Sequence, residues 1–261
     1  RIAAVTFTGS TPVGRSIAAA AGRALKKQVL ELGGSDPFVV LADADVAAAA
    51  AVAVKARFSN TGQSCISAKR FIVEHAVADR FRDAFVEGAR QLVTGDPLQA
   101  GNTMGSMARR SLRDELHAQV EATLAQGARL LIGGRAVDGP GAFYEPTILD
   151  HVTPQMTAAR EETFGPAAAI LRVGSPEEAI AVANDTPFGL GAAIWTQDLD
   201  RARRLSRQVE AGAVFINGMV ASDPRLPFGG TKQSGYGREL AHLGLHEFTN
   251  IKTVWTGPAR A

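Results

Sequence analysis

Phe58-Ser59-Asn60-Thr61-Gly62-Gln63-Ser64-Cys65-Ile66-Ser67-Ala68-Lys69-Arg70 surrounds the only cysteine of a 261-residue chain, and Glu31-Leu32-Gly33-Gly34 lies upstream of it. A lone thiol can form no internal disulfide and can supply no multi-cysteine metal site, which leaves it as a small apolar filler or a nucleophile. A filler is the commoner use of a single cysteine. The neighbours favour the other use: Ser59, Asn60, Thr61, Gly62, Gln63 and Ser64 make a flexible loop of donors, not an apolar run. Such a loop can aim backbone N–H groups at an oxygen that becomes negative during attack. A thiolate there would be the nucleophile, and a carboxylate reaching the same place its base.

Working outward, residues 43–58 read as an Ala/Val-rich buried helix that delivers the cysteine loop, and residues 69–74 as the strand that follows it. Upstream, residues 27–32 read as a strand ending in Gly33-Gly34. Glu31 in that apolar strand end is either a solvated edge charge or a carboxylate with a raised pKa, as a general base near neutral pH requires. Earlier still, a strand over 2–8 runs through Gly9-Ser10 into a helix over 11–25, with Ser10 or Thr11 as cap and Pro12 in the first turn. This layout offers free N–H groups and the positive end of a helix dipole to a phosphate, although most such turns only cap a helix. The chain has no G-x-G-x-x-G fingerprint.

Downstream, helices are predicted over 76–93, 106–126, 175–184 and 199–209, and strands over 130–132, 167–173, 191–195 and 212–216, with 144–149 extended. This alternation argues for an α/β fold with a parallel sheet. Residues 217–236 form a Gly- and Pro-rich loop in which the run from Ser222 to Phe228 could line a substrate entrance. A short helix and a last strand over 248–255 are expected at the end.

Composition narrows the function. Hydrophobic residues make up 46%, ample for a core, and net charge is only +2 with basic and acidic residues interleaved. Electrostatics therefore give nucleic-acid binding no support, despite a pI near 8.9. No window approaches the ~20 apolar residues of a membrane span. No metal site is expected, and one free thiol suits a reducing compartment, so a cytoplasmic location is expected.

The motifs together resemble the aldehyde dehydrogenase superfamily. The resemblance rests on Leu30-Glu31-Leu32-Gly33-Gly34, Gly62-Gln63-Ser64-Cys65, Phe7-Thr8-Gly9-Ser10-Thr11-Pro12-Val13-Gly14, Glu161-Glu162-Thr163-Phe164-Gly165-Pro166 and Pro227-Phe228-Gly229-Gly230-Thr231-Lys232-Gln233-Ser234-Gly235. It runs from Arg1 to about Trp255, and within the superfamily the cysteine motif and the run 217–230 look most like bacterial succinate-semialdehyde dehydrogenases.

The resemblance implies an α/β fold: a catalytic domain with a parallel-rich sheet flanked by helices, plus the last strands of the nucleotide-binding domain. Expected boundaries are 1–33 for the end of the dinucleotide-binding domain, 34–235 for the catalytic domain, and 236–261 for a C-terminal helix and oligomerisation strand. It further implies Cys65 as nucleophile, Glu31 as general base, and Gly9, Ser10, Leu32, Glu162 and Phe164 as residues that bind NAD or NADP. Arg57, Ser222 and Arg225 are the candidates for a substrate carboxylate. The expected partners are a small aldehyde and other copies of the chain in a homo-oligomer. A start at Arg1 without methionine implies that roughly the first half of the family's length is absent, so a silent fragment or subunit-binding module is the competing expectation. Cofactor-free ester or thioester hydrolysis by Cys65 and Glu31 is another, and a dehydrogenase for a different aliphatic or aromatic aldehyde a third.

Overall fold

Apolar residues alternate in β-branched and aromatic runs and recur at helical spacing between them, and the chain folds accordingly. The computed structural model describes residues 2–258. Strand β1 (Ala4–Thr8), helix α1 (Thr11–Arg23), β2 (Lys27–Glu31) and β3 (Asp36–Val40) come first. Helix α2 (Val46–Phe58) runs into a one-turn 3-10 segment, Ser59–Gly62, and then β4 (Ala68–Glu74) and α3 (His75–Arg90). Next are α4 (Arg110–Ala125), β5 (Arg129–Ile132), β6 (Thr147–Asp150), α5 (Thr157–Arg160), β7 (Ala167–Val173) and α6 (Pro176–Asn184). The chain continues through β8 (Phe188–Gly189), β9 (Gly191–Trp195), α7 (Leu199–Ser206), β10 (Ala213–Ile216), β11 (Thr231–Lys232), β12 (Gly235–Tyr236) and α8 (Ala241–Glu247).

Seven strands form the main sheet in the order β10-β9-β3-β4-β7-β6-β5, parallel throughout except for the antiparallel edge pair β5 and β6. A parallel sheet buries both faces, so its central strands are apolar on both. Phe38, Val40, Phe71 and Val73 face α2 and α3, while Val39, Leu41 and Ile72 face the other way, against a core that includes Leu116 of α4, Ile180 of α6 and Leu205 of α7. Phe38, Phe71, Phe81 and Phe85 pack with ring centroids 4.7 to 6.5 Å apart, which docks α3 on the sheet. A second sheet, β1-β2-β12, pairs β1 with β2 in parallel and β2 with β12 antiparallel.

Three features depart from the sequence-based expectation. Helix α2 is capped by the Asp45 side chain, which accepts the Ala48 N–H, but it buries one stripe only. Val46, Ala49, Ala50, Ala53 and Ala56 are inside, whereas Ala47, Ala48 and Ala51 are exposed, since alanine is small enough for either side. The Gly- and Pro-rich run 217–236 contains the two short strands β11 and β12, each paired to a distant partner rather than to its neighbour. The strand expected over 248–255 does not form: residues beyond 250 have no regular structure among those described, and Ile251, Val254 and Trp255 are exposed. Alternation can mark a strand, but an unpaired one gains no ladder hydrogen bonds. No helix among the described residues is long and apolar enough to cross a membrane.

Candidate active site

Chain topology brings the motifs to one place. Cys65 lies in the loop before β4, Gly34 precedes β3, Glu162 lies in the loop before β7 and Gly191 begins β9, so all four lie at the amino edge of the parallel strands. Gly9-Ser10 and Leu32 follow β1 and β2 and lie at the carboxyl edge of the smaller sheet. The two edges meet through Gly34: a Cβ there would stand 2.6 Å from the Cys65 carbonyl oxygen. Only glycine permits that approach.

The loop carrying the thiol is strained. Asn60, Thr61 and Gly62 take consecutive left-handed conformations with φ of 53°, 57° and 70°, a region that a β-branched residue such as Thr61 rarely enters. Thr61 is held there by its hydroxyl, which donates to the Gly105 carbonyl at 3.2 Å, and Asn60 donates its side-chain amide to the Gln63 carbonyl at 2.9 Å. Arg57 supplies the strongest restraint. From the last turn of α2 its fully buried guanidinium donates to the carbonyls of Ala68 at 3.0 Å, Gly62 at 2.8 Å and Thr163 at 3.2 Å, and also to Gly165. Arg57 is therefore not a substrate ligand: its donors face backbone, and they tie the Cys65 loop to the loop bearing Glu162. Arg57→Met should leave several buried carbonyls without a donor and lower stability by about 2–3 kcal/mol, read as a lower urea midpoint at unchanged m-value.

Cys65 itself is half-buried. Burial pushes its thiol pKa up, and the carboxylates of Asp36 and Glu162 add to that, while the Lys69 ammonium and the Ile66 N–H oppose it. Lys69 has no solvent exposure and donates to the carbonyls of Ser64 at 3.1 Å, Cys65 at 3.0 Å and Ser67 at 3.0 Å. Burial pulls its pKa down. Asp36, also buried, accepts the Gly191 N–H at 3.1 Å through one oxygen, and its other oxygen has no hydrogen-bond partner. Burial raises its pKa, with Lys69 and Arg70 opposing.

Glu31 is buried to 2% exposure, and neither carboxylate oxygen has a hydrogen-bond partner. Desolvation raises its pKa to about 7, Glu239 adds to this and Arg238 opposes it. The carboxylate lies against Gly229, where a Cβ would be 2.9 Å from Oε1, and its charged neighbours are Arg238 and Glu239 instead of the groups around the thiol. The main chain at Gly33-Gly34 is thus brought to Cys65, while the Glu31 side chain occupies a neighbouring pocket.

Glu162 sits on that same glycine pair. One of its oxygens accepts the Gly34 N–H at 3.0 Å and lies 3.9 Å from Lys69 Nζ, and the other would collide with any side chain at Gly33. Gln119 of α4 supports it by donating to the Glu162 carbonyl at 3.3 Å and to the Glu161 carboxylate at 2.9 Å. Phe164 is half-buried beside it.

At the start of α1, Ser10 occupies the capping position, yet its side chain makes no capping bond, and Pro12 fills the first turn. The Ser10 hydroxyl and the leading N–H groups of the helix are therefore available to an anion, which fits a dinucleotide phosphate. Leu32 packs its side chain against Gly14 and gives its N–H to the Ser234 carbonyl at 3.0 Å. Ser222 is exposed, and Arg225 is paired with Asp223 at 2.6 Å; neither is hydrogen-bonded to the Cys65 loop. Beside them, a cleft of about 450 Å³ runs between β10 and Leu226, Pro227 and Phe228.

Sequence reasoning missed Lys69, Asp36 and Gln119. The available signal for the first was a Lys-Arg pair opening an otherwise apolar strand, since every residue of β4 is buried.

The chain matches the model described as the aldehyde dehydrogenase family over residues 1–254. It is 58% identical over 255 residues to the NAD(P)+ succinate semialdehyde dehydrogenase Sad of Escherichia coli, covering 98% of this chain and 55% of that protein. Identity to the NADP+ succinate-semialdehyde dehydrogenase of Mycobacterium avium is 51% over 261 residues, 100% of this chain and 55% of the relative. A succinic semialdehyde dehydrogenase from Streptococcus pyogenes, solved in complex with NADP+, has a TM-score of 0.95 at 40% identity, covering 99% of this chain and 57% of that one. The chain spans about half the length of the curated relatives it matches.

Proposed function

The chain belongs to the aldehyde dehydrogenase family, and on that premise we propose that it supplies the nucleophile, the general base and part of the nucleotide site for oxidation of succinic semialdehyde to succinate with NAD or NADP. The observation that carries this reading is the buried Glu31 carboxylate, without hydrogen-bond partners and with a pKa of about 7, placed three residues from the Gly34 that abuts the loop of the only thiol.

The Cys65 thiol, half-buried and so within reach of solvent, gives its proton to water, and its sulfur adds to the aldehyde carbon as the carbonyl electron pair moves to oxygen. The Cys65 N–H donates to that oxyanion, a contact that typically lowers the barrier by ~3 kcal/mol. A nicotinamide bound here would supply the hydride acceptor that this oxidation to the acyl level requires, with Cys65 keeping the acyl carbon as a thioester. Glu31 then turns from Gly229 toward the loop and takes a proton from water, whose oxygen attacks the thioester and releases the thiolate. Ser10 and the first N–H groups of α1 would hold the pyrophosphate of such a dinucleotide, Glu162 would accept from its ribose hydroxyls, and Phe164 would pack beside its ring. Ser222, and Arg225 once freed from Asp223, are the groups proposed to meet the substrate carboxylate. A cytoplasmic homo-oligomer, dimer or tetramer, completes the proposal.

The test is reduction of NAD and NADP by this chain with succinic semialdehyde, against hexanal as the comparison aldehyde. A rate well above that with hexanal supports the reading, and equal rates would remove the substrate assignment. Ser10→Ala should raise the Kd for NADP on the order of 10- to 100-fold, the loss of one hydrogen bond to a charged group. It should not change the melting temperature, because the hydroxyl caps nothing.

A further inference from the structure

Lys69 has no place in the steps above, yet a buried ammonium is costly and is retained only where it is well paired. Its three hydrogen bonds all end on carbonyls of the segment 64–67, which contains the nucleophile. In a trans peptide the C=O and N–H point in opposite directions. Drawing the Ser64 and Cys65 carbonyls onto one ammonium therefore turns the N–H groups of Cys65 and Ile66 to the other side of the loop. The Ile66 N–H lies on the sulfur's side, where it favours the thiolate.

We propose that Lys69 is the positioning residue of the nucleophile loop: it gathers these carbonyls so that two successive N–H groups face the sulfur and the oxyanion formed beside it, and its ammonium sets a positive charge behind the thiol. This rests on the reading of Cys65 as nucleophile. Two adjacent N–H groups aimed at one spot make an anion-binding nest. The charges acting on the sulfur are Lys69 from β4, Asp36 from β3 and Glu162 from the loop before β7. Arg57 of α2 also acts on Lys69, and Arg70 acts on Asp36. Lys69 is the cation that opposes the two carboxylates at the sulfur.

Cys65 is the sole thiol, so its alkylation by iodoacetamide across a pH series reads this site without aldehyde or nucleotide. K69Q keeps an amide donor for the carbonyls and drops the charge, K69M drops both, and K69R keeps both. The expected result is a higher alkylation midpoint in K69Q and K69M than in wild type, and a profile near wild type in K69R. For every pH unit by which the midpoint rises, the rate near neutral pH should fall about 10-fold. A K69Q midpoint equal to wild type overturns the proposal. If neither uncharged variant folds, the wild-type profile decides. Coupling to the Lys69 proton broadens it beyond a single titration, whereas a single-group curve contradicts the proposal. In the dehydrogenase assay, K69M, which leaves these carbonyls without a donor, should lower kcat on the order of 10- to 100-fold with KM little changed, since the N–H pair matters most when the oxyanion forms. Failure of the underlying reading would look different: turnover would survive in Cys65→Ala, whatever the alkylation profiles show.

Discussion

Cys65→Ala is expected to remove NAD(P)H formation from succinic semialdehyde altogether, a loss on the order of 10⁴-fold or more, as when the nucleophile of a covalent mechanism is deleted. No other thiol can substitute. The surrounding loop should survive, because it is held by Arg57, Thr61 and Lys69 and not by the thiol. The melting temperature of Cys65→Ala should therefore correspond to a stability within about 1 kcal/mol of wild type. Cys65→Ser should be equally inactive, since a hydroxyl is far less acidic than a thiol and is the weaker nucleophile near neutral pH. Residual turnover above background in either variant, measured by absorbance of the reduced nucleotide, would place the chemistry elsewhere.

Glu31→Gln should act on both rate and stability. In the rate, the variant should form one equivalent of NAD(P)H and then stall, with steady turnover down on the order of 10³-fold, because water lacks its base. Wild-type hydrolysis should rise with pH through about 7, where Glu31 loses its proton. In stability, the sign follows from the raised pKa. Between the ordinary value of 4.5 and about 7 the folded chain keeps a proton on Glu31 that the unfolded chain has released. Stability thus falls as pH rises across that window and levels off above it, by about 3 kcal/mol in all. Glutamine does not titrate, so the gap between Glu31→Gln and wild type should widen by that amount from pH 4.5 to 8 in urea melts. Taking the difference removes Asp36, whose raised pKa tilts both curves the same way. Parallel curves would mean that Glu31 is solvated in the folded chain.

Most elements were legible because their signals are local. The helix read over 43–58, the apolar strand read over 69–74 and the helix read over 175–184 each follow from residues close in sequence. The pairing of the smaller sheet was not, since β12 comes from a Gly-rich loop some two hundred residues after β2. In the site, Cys65, Glu31 and Glu162 stand out as polar groups in informative company. Arg57 misled because Lys55-Ala56-Arg57-Phe58 at a helix end reads as a solvated terminus. Its burial depends on the carbonyls of Thr163 and Gly165, more than a hundred residues away. Lys69 was hidden for a related reason: its partners lie two to five residues back in sequence, but only the turn of the loop directs their carbonyls inward. The position of the Glu31 carboxylate, against Gly229 and apart from the thiol, depends on side-chain packing that no motif encodes.

The most direct test of covalent catalysis at Cys65 is the mass of the peptide containing it. Glu31→Gln would be incubated with succinic semialdehyde and NADP+, quenched in acid and digested. Cys65 is expected to gain one succinyl group, only when NADP+ is present, in proportion to the NADPH formed. An unmodified Cys65 alongside NADPH formation would contradict covalent catalysis there.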